Sequence, residues 1–472
     1  MADENRGGDL AIVLHSHMPY VEGFGTYPFG EEWLFDAVAR SYLPVLDVAE
    51  KITIGVTPVL ADQLEAEGVG ERMVAFLREH RLRAAEKDAA EAEGGLSAAA
   101  ASEAAHYRAA IERLEALGGN ALAAFQQAQG RVELIASAAT HAVLPKLATR
   151  EAQRLQVDAG LRSHRRRFGE PRGFWLPECG YRPGIEARLA ERGLLYTCLD
   201  QSDSEEPLAA LAPARTPGGP VAFTIDWPSV RLVWSKEGYP SHPDYAEYHR
   251  LSANGSRLWS VGGQPRDAEA AAERARAHAG EFLGSIAARL GEFSRARSRR
   301  GLVVFAIDTE LLGHHWSEGP QWLAAVLEQA EASGVRLLTL SEALAEHEPE
   351  ERELSESSWG EDKDLSTWDS AAVSDFAWGS RRLELRLLRG LDSGRVKGAA
   401  AERAARELLA VQASDWAFLD HRRQVGDYAY RRVTAHAEAL LEAIESPRAL
   451  DVDRARMRNL APDLSLAPLF EP

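Results

Sequence analysis

Gly301-Leu302-Val303-Val304-Phe305-Ala306-Ile307-Asp308-Thr309-Glu310-Leu311-Leu312-Gly313-His314-His315-Trp316-Ser317-Glu318-Gly319-Pro320 begins as an unbroken apolar run and ends in carboxylates, imidazoles and a tryptophan. A strand with one wet face alternates apolar and polar residues, whereas a strand buried on both faces reads as a continuous apolar run. The stretch therefore predicts a buried parallel strand closing on Asp308, with the chemistry gathered at its C-terminal end.

The same grammar recurs along the chain. Residues 10–14 run ahead of His15, 52–56 ahead of Thr57, 132–136 ahead of Thr140 and His141, 174–176 ahead of Glu178, 194–199 ahead of Asp200, and 335–340 ahead of Ser341. Helix-compatible stretches separate most of these runs, which is the cadence of βα units. An open doubly wound sheet would give similar runs, but no Gly-x-Gly-x-x-Gly follows the first strand, where His15-Ser16-His17-Met18-Pro19-Tyr20 stands instead. The expected fold class is α/β, a distorted barrel.

The chain has 472 residues, ordinary apolar content, 11 Trp and 38 Gly, too much for one small core and suited to a globular protein of two or more substructures. Its formal charge of -18 and pI near 5.3 argue against nucleic acid or an anionic membrane as partner and favour a neutral or cationic one. Cys179 and Cys198 are the two cysteines, no apolar run approaches membrane-spanning length, and residues 1–10 are polar and acidic, unlike a signal peptide. A cytoplasmic protein with reduced thiols is expected.

Residues from about 61 to 129 are rich in Ala, Glu and Arg with spaced Leu, and Glu93-Gly94-Gly95 marks a break between two helical stretches, so a helical insertion is expected there. After Glu346 the βα cadence stops, and residues 399–419 and 428–444 carry apolar side chains at helical spacing. The expected division is a barrel over residues 1–350, insertion included, and a C-terminal helical domain over 351–472. Between them, the polar segment 355–368 holds Trp359 and Trp368, which need a partner surface.

In Gly173-Phe174-Trp175-Leu176-Pro177-Glu178-Cys179-Gly180-Tyr181, a carboxylate sits among aromatics just past a proline, an environment that a paired or functional carboxylate tolerates. With Asp308 it makes a pair at two strand ends, as retaining glycoside chemistry requires: one carboxylate attacks the anomeric carbon, the other protonates the leaving oxygen. The plainer reading of Asp308 is a helix N-cap. His15 and His17, two apart on one strand face, suit a metal, with His141, Asp308 and His314 as further candidate ligands. The same imidazoles equally suit hydrogen bonds to sugar hydroxyls, and His141 alone could be a core histidine. Trp175, Trp234, Trp316, Trp359 and Trp368 could stack on sugar rings, although core packing is the commoner fate of any one Trp. Residues 233–245 read as a long ordered loop of the kind that completes a pocket.

Together these residues resemble the 1,4-α-glucan branching enzymes of glycoside hydrolase family 57. The resemblance spans nearly the whole chain: Leu14-His15-Ser16-His17-Met18-Pro19-Tyr20-Val21, Glu31-Glu32-Trp33-Leu34-Phe35, Tyr42-Leu43-Pro44, Thr57-Pro58-Val59-Leu60 and Ala138-Ala139-Thr140-His141 come first. Trp175 to Tyr181, Val233-Trp234-Ser235 with Gly238-Tyr239-Pro240, Asp308 to His314, Ser357-Ser358-Trp359-Gly360 with Trp368, Arg406-Glu407-Leu408-Leu409 and Ser414-Asp415-Trp416 follow.

The resemblance implies an incomplete (β/α)7 barrel with a helical insertion and a C-terminal helical domain whose first loop, 355–368, completes the active site. It implies a retaining reaction without metal or cofactor on an α-1,4-glucan such as amylose or glycogen. Glu178 would carry a covalent glucosyl group, and Asp308 would protonate the departing chain and deprotonate the incoming 6-hydroxyl. His15, His17, His141, Trp175, Trp234, His314, Trp316, Trp359, Trp368 and Asp415 would bind substrate, and a monomer is expected.

There are departures from the family pattern. The segment 202–220 is short and lacks the Tyr with which many members shield the intermediate from water, so a larger hydrolytic fraction is expected. Glu22 stands where an Arg often follows Pro-Tyr-Val, and His315 where an aromatic or apolar residue usually precedes the Trp. The rival readings are an α-amylase or 4-α-glucanotransferase of the same chemistry, a metal-dependent hydrolase or deacetylase, and a non-catalytic glucan-binding protein.

Overall fold

The structure is a computed structural model describing residues 8–445 and 459–471, apart from 24, 27, 203–205 and 207. Its ten strands are β1 (Gly8–Ser16), β2 (Thr53–Val56), β3 (Glu133–Ser137), β4 (Gly173–Trp175), β5 (Tyr196–Leu199), β6 (Ala214–Arg215), β7 (Val221–Thr224), β8 (Leu302–Asp308), β9 (Val335–Leu337) and β10 (Glu350–Glu351). Seven of them run parallel in the order β7-β5-β4-β3-β2-β1-β8. Asp226, two residues beyond β7, donates its backbone N–H to Val304 O of β8 at 2.9 Å, so the curled sheet brings its two ends within one hydrogen bond of each other. That is a (β/α)7 barrel, distorted by a seam at β7 and β8. β6 lies antiparallel to β7, and β10 pairs with β6.

The seven barrel strands differ by one from those marked by apolar runs. Val221–Thr224 is a barrel strand that residue patterning missed, because a 3-10 turn and β6, rather than a helix, separate it from β5 and interrupt the βα cadence. Conversely, residues 335–340 do not form a full strand. β9 stops at Leu337, beside the first residues of β1, because Thr339 and Glu342 form a capping box that starts the helix Leu340–Glu346.

Every residue of β1 is buried, as a strand covered on both faces must be. Inside the barrel, Gly55 lies beside His15 and Trp175, whose Nδ1 and Cβ would stand at ordinary contact distances of 3.4 and 3.6 Å from a Cβ there. Gly173 makes way for the Tyr196 ring, 2.1 Å from where its Cβ would lie.

Residues 58–128 form a run of helices, with the helix Gly94–Ala116 starting at the Glu93-Gly94 break. Toward the C-terminus come Ser374–Asp392, Ala399–Val411, Ser414–His421 and Tyr428–Glu445. The bend at Gln412-Ala413 divides what patterning reads as one helix over 399–419. Leu387, Leu408, Leu409, Leu440 and Ile444 form an apolar cluster that also takes in Ala139, Leu155 and Ala159 from the barrel side. Burying these side chains stabilises the helices, and a second cluster, in which Trp416, Ala417 and Leu419 pack with Val143 and Leu365, holds Ser414–His421. Among the described residues no helix is long and apolar enough to cross a membrane.

Candidate active site

Glu178 owes its position to a strained turn. β4 ends at Trp175, Pro177 starts the single 3-10 turn Pro177–Cys179, and Glu178 adopts φ 58 and ψ 21, followed by Cys179 at φ 49. Left-handed backbone at a non-glycine residue costs roughly 1–3 kcal/mol and persists where surrounding contacts impose it. Here Trp359 N–H donates to Glu178 O at 2.7 Å, and Tyr181 and Ser357 exchange backbone hydrogen bonds of 2.9 and 3.1 Å. The segment carrying Trp359 is thus docked on the turn that carries the carboxylate.

Asp308 ends β8 directly opposite His15 of β1. Its side chain does not cap the following 3-10 turn, Thr309–Leu311, so the N-cap reading fails at this position. Glu310 in that turn accepts the His17 backbone N–H at 3.0 Å and the Tyr42 hydroxyl. Gly313 completes the loop at φ +98, where a Cβ would fall 1.8 Å from Arg40 O. Burial, with repulsion from its neighbours, pushes each carboxyl up: Glu178 to about 7, where Asp415 adds to the push while the Ser414 hydrogen bond and His17 pull back; Asp308 to about 7, where the Glu178 charge adds to burial; and Glu310 to about 8, beside Asp308.

The histidines form a stack. His15 lies on Trp175 with centroids 4.7 Å apart, and His141 lies 4.8 Å from His15 and 3.9 Å from His17. His15 Nε2 meets His141 Nε2 at 2.8 Å, and His141 Nδ1 meets Ser414 Oγ at 2.9 Å. His17 contacts Thr57 Oγ1 through Nδ1 at 3.1 Å and Asp415 Oδ1 through Nε2 at 2.9 Å. Burial opposes a charge on all three. It holds His15 and His141 well below the ordinary imidazole range, but at His17 Asp415, Glu178 and Glu310 outweigh it and raise the pKa. One imidazole with raised proton affinity among three carboxyls, with two imidazoles held neutral beneath, is the resulting electrostatic pattern.

These groups line an open cleft of about 370 Å³, within the range of small-ligand sites, together with Trp33, Trp234, Tyr248, His314, His315, Trp359 and Asp415. Trp234 is 50% exposed on its rim. The remaining tryptophans nominated from sequence do not reach the cleft wall. Trp175 is buried beneath it, edge-on to Trp359 at 5.0 Å. Trp368 packs with Val143, Leu365 and Trp416. Trp316 is 1% exposed against Tyr245 and Trp322, because its loop turns inward after Gly313. His315, one of the family departures, does line the cleft, and burial with Arg257 nearby brings it down to about 4. Glu22 is buried away from it. Part of the Tyr-less segment 202–220 lies outside the described residues.

For a metal, the imidazoles would have to aim free nitrogens at one point. His15 and His17 instead spend their Nε2 atoms on His141 and Asp415, and among the described residues no three His, Cys, Asp or Glu side chains form a group able to hold an ion. A donor set of one cation, paired carboxylates and stacked aromatics suits a neutral polyhydroxylated ligand.

Residues 11–355 match the Glycosyl hydrolase family 57 profile. The chain belongs to glycosyl hydrolase family 57. Residues 382–470 match a second profile, described as 1,4-alpha-glucan branching enzyme, C-terminal. A 1,4-alpha-glucan branching enzyme of Thermococcus kodakarensis is 35% identical over 91% of this chain and 72% of its own length. The crystal structure of a GH57-type branching enzyme from Pyrococcus horikoshii superposes with a TM-score of 0.92 at 32% identity, covering 98% of this chain and 97% of that one. The alpha-amylase AmyC from Thermotoga maritima superposes with a TM-score of 0.85 at 25% identity, covering 99% of each.

Trp33, Glu310 and Ser414 belong to this family 57 site although residue patterning does not single them out. Glu310 carried a signal, a second carboxylate two places beyond a strand-end Asp. Ser414 carried none, since nothing local says that a serine at a helix start faces a carboxylate 236 positions away.

Proposed function

We propose that the chain is a 1,4-α-glucan branching enzyme working by retaining transglycosylation on a soluble α-glucan. The observation that carries the reading is the coupled pair at two strand ends: Glu178 and Asp308 share one cleft, and the charge of the first raises the pKa of the second. His17 draws both carboxyls down, but Glu178 also accepts the Ser414 hydroxyl at 2.8 Å, so it ionises while Asp308 keeps its proton. The Glu178 carboxylate attacks the anomeric carbon; the glycosidic bond breaks as the Asp308 proton passes to the leaving oxygen. Esterification removes the Glu178 charge, which lowers the Asp308 pKa and turns it into the base for the next step. Asp308 then takes the proton of an incoming 6-hydroxyl, whose oxygen displaces Glu178 and forms the α-1,6 branch.

In this reading residues 1–350 carry the chemistry, 351–472 support it, and the segment 355–368 completes the cleft through Trp359. The protein acts as a cytoplasmic monomer in α-glucan synthesis, with Trp234, Trp359, His17, His314 and Asp415 binding sugar directly. The match of residues 382–470 to the branching-enzyme C-terminal profile favours transfer. The likeness to the T. maritima amylase and the Tyr-less segment favour a second reading, hydrolysis with water as acceptor. Incubation with amylose, debranching and chain-length profiling test this: α-1,6 linkages rising at constant reducing ends support branching, and reducing ends rising without α-1,6 linkages establish the amylase reading.

A further inference from the structure

Four side chains from four separate parts of the chain form one hydrogen-bonded line into the cleft. His15 Nε2 lies 2.8 Å from His141 Nε2, His141 Nδ1 lies 2.9 Å from Ser414 Oγ, and Ser414 Oγ lies 2.8 Å from Glu178 Oε1. Two held backbones aim it: His141 has φ 59, Glu178 has φ 58, and the Ser414 N–H donates to His141 O at 3.2 Å.

The far end of the line sets its direction. His15 Nδ1 is buried without a hydrogen-bond partner, and Gly55 is the residue packed against it. A neutral imidazole carries one proton. Were it on Nδ1, the structure would hold an orphaned N–H donor, which is rarer and costlier in proteins than an unused acceptor. The proton therefore sits on His15 Nε2 and is donated to His141 Nε2. His141 must then carry its proton on Nδ1 and donate it to Ser414 Oγ, which leaves the serine hydroxyl to donate to Glu178.

We infer that Ser414 is the positioning residue for Glu178, the last link of a one-way chain, His15 to His141 to Ser414 to Glu178, which presents a hydrogen-bond donor to the carboxylate and so holds it in its ionised, attacking form. The inference rests on the reading of Glu178 as nucleophile and adds a device to it: the C-terminal helical region supplies the hydroxyl, and the barrel core supplies the polarity. The other titratable groups facing Glu178 are His17 after β1, Asp308 at the end of β8, and Asp415 beside Ser414, with Cys179 next in the chain. None of them donates a hydrogen bond to Glu178 Oε1 in the structure, whereas His141 Nδ1 stands 3.5 Å from it, beyond direct bonding.

The test is the pH profile of turnover for wild type, Ser414→Ala, Ser414→Thr and His15→Phe, with α-1,6 linkages and reducing ends counted separately and thermal melting recorded for each. Losing a hydrogen bond to an anion raises its pKa, so Ser414→Ala is expected to move the acidic limb up by about one pH unit and to cost about tenfold in kcat below it, with KM little changed. Ser414→Thr, which keeps the hydroxyl, restores the wild-type limb. His15→Phe removes the donor at the buried end and moves the limb the same way by less. An acidic limb unmoved in Ser414→Ala overturns the inference, as does a Thr variant shifted as far as the Ala one. Should Ser414→Ala fail to fold, an unmoved limb in His15→Phe overturns the chain by itself. The functional reading fails separately: if wild type raises reducing ends without α-1,6 linkages, the limb is read on hydrolysis and the inference stands or falls there. Full activity in Glu178→Gln removes the nucleophile and the inference with it.

Discussion

Asp9 opens β1 and is 1% exposed, at the N-terminal end of the barrel, where Arg300, Arg336 and His347 reach it at 2.6, 2.9 and 2.9 Å. Burial pushes its pKa up, but the hydrogen bonds and charges of those partners prevail and hold it at about 2. At the other end of the strands, Glu178, Asp308 and Glu310 are half-buried on the cleft around His17, whose own pKa is raised, and they stand at about 7, 7 and 8. The same residue types, held by the same barrel, are paired with cations at one end and left in mutual repulsion on the cleft at the other. Charge pairing at the first end serves the fold, and withheld pairing at the second keeps protons exchangeable near neutral pH.

Substitutions at the two ends should therefore fail in opposite ways. Glu178→Gln and Asp308→Asn are expected to lower turnover on amylose by ~10³-fold or more, because each removes a group that forms a bond or moves a proton in the transition state. Their melting temperatures should hold or rise, since a repelling charge is gone. Asp9→Asn should keep turnover per folded molecule and lose about 3 kcal/mol of stability, the lower end of the cost of breaking a buried ion pair, because Arg300 and Arg336 retain access to water. Denaturant titration beside initial rates separates the two; an Asp9→Asn enzyme that is stable but inactive would erase the contrast.

Acid and alkali should find the two ends in turn. Asp9 has a folded pKa depressed from 3.8 to about 2, so its contribution is present above the unfolded value and is lost as pH falls through about 2. Glu178 and Asp308 have folded pKa values raised from 4.5 and 3.8 to about 7, so theirs is present below about pH 4 and is lost as pH rises through about 7. Unfolding free energy is expected to decline by up to about 5 kcal/mol from pH 5 to pH 8, and the decline should flatten in the Glu178→Gln, Asp308→Asn double variant. An unchanged slope in that variant would show that the strain lies elsewhere.

How much of this was readable beforehand follows from how far each signal extends along the chain. A continuous apolar run ending in a polar residue is local, so most barrel strands and the strand-end positions of His15, Glu178 and Asp308 were legible. β7 was not, because a 3-10 turn and β6 stand where the βα cadence calls for a helix before it. Nor was Ser414, because its role depends on how a C-terminal helix packs on the turns after β3 and β4, a relation between distant segments. The tryptophans mark the same boundary: sequence nominates Trp234 and Trp316 equally as sugar platforms, and packing separates them.

Trp234 closes the helix Trp227–Trp234 and stands half exposed on the cleft rim, while Trp316 lies under the loop that carries Glu310 and His314. A ring at the rim offers one face to a sugar and shares little area with the core. Trp234→Ala is accordingly expected to raise KM for amylose by about three- to tenfold, the worth of one aromatic contact, with kcat and melting temperature near wild type. Trp316→Ala would instead open a cavity beside Tyr245 and Trp322 and cost about 3 kcal/mol or more of stability before any effect on binding could be read. Measured together, the pair extends the contrast between the barrel ends to neutral side chains: a Trp234→Ala enzyme that loses stability but keeps its KM would place that ring with the scaffold and leave Trp359 as the aromatic floor of the cleft.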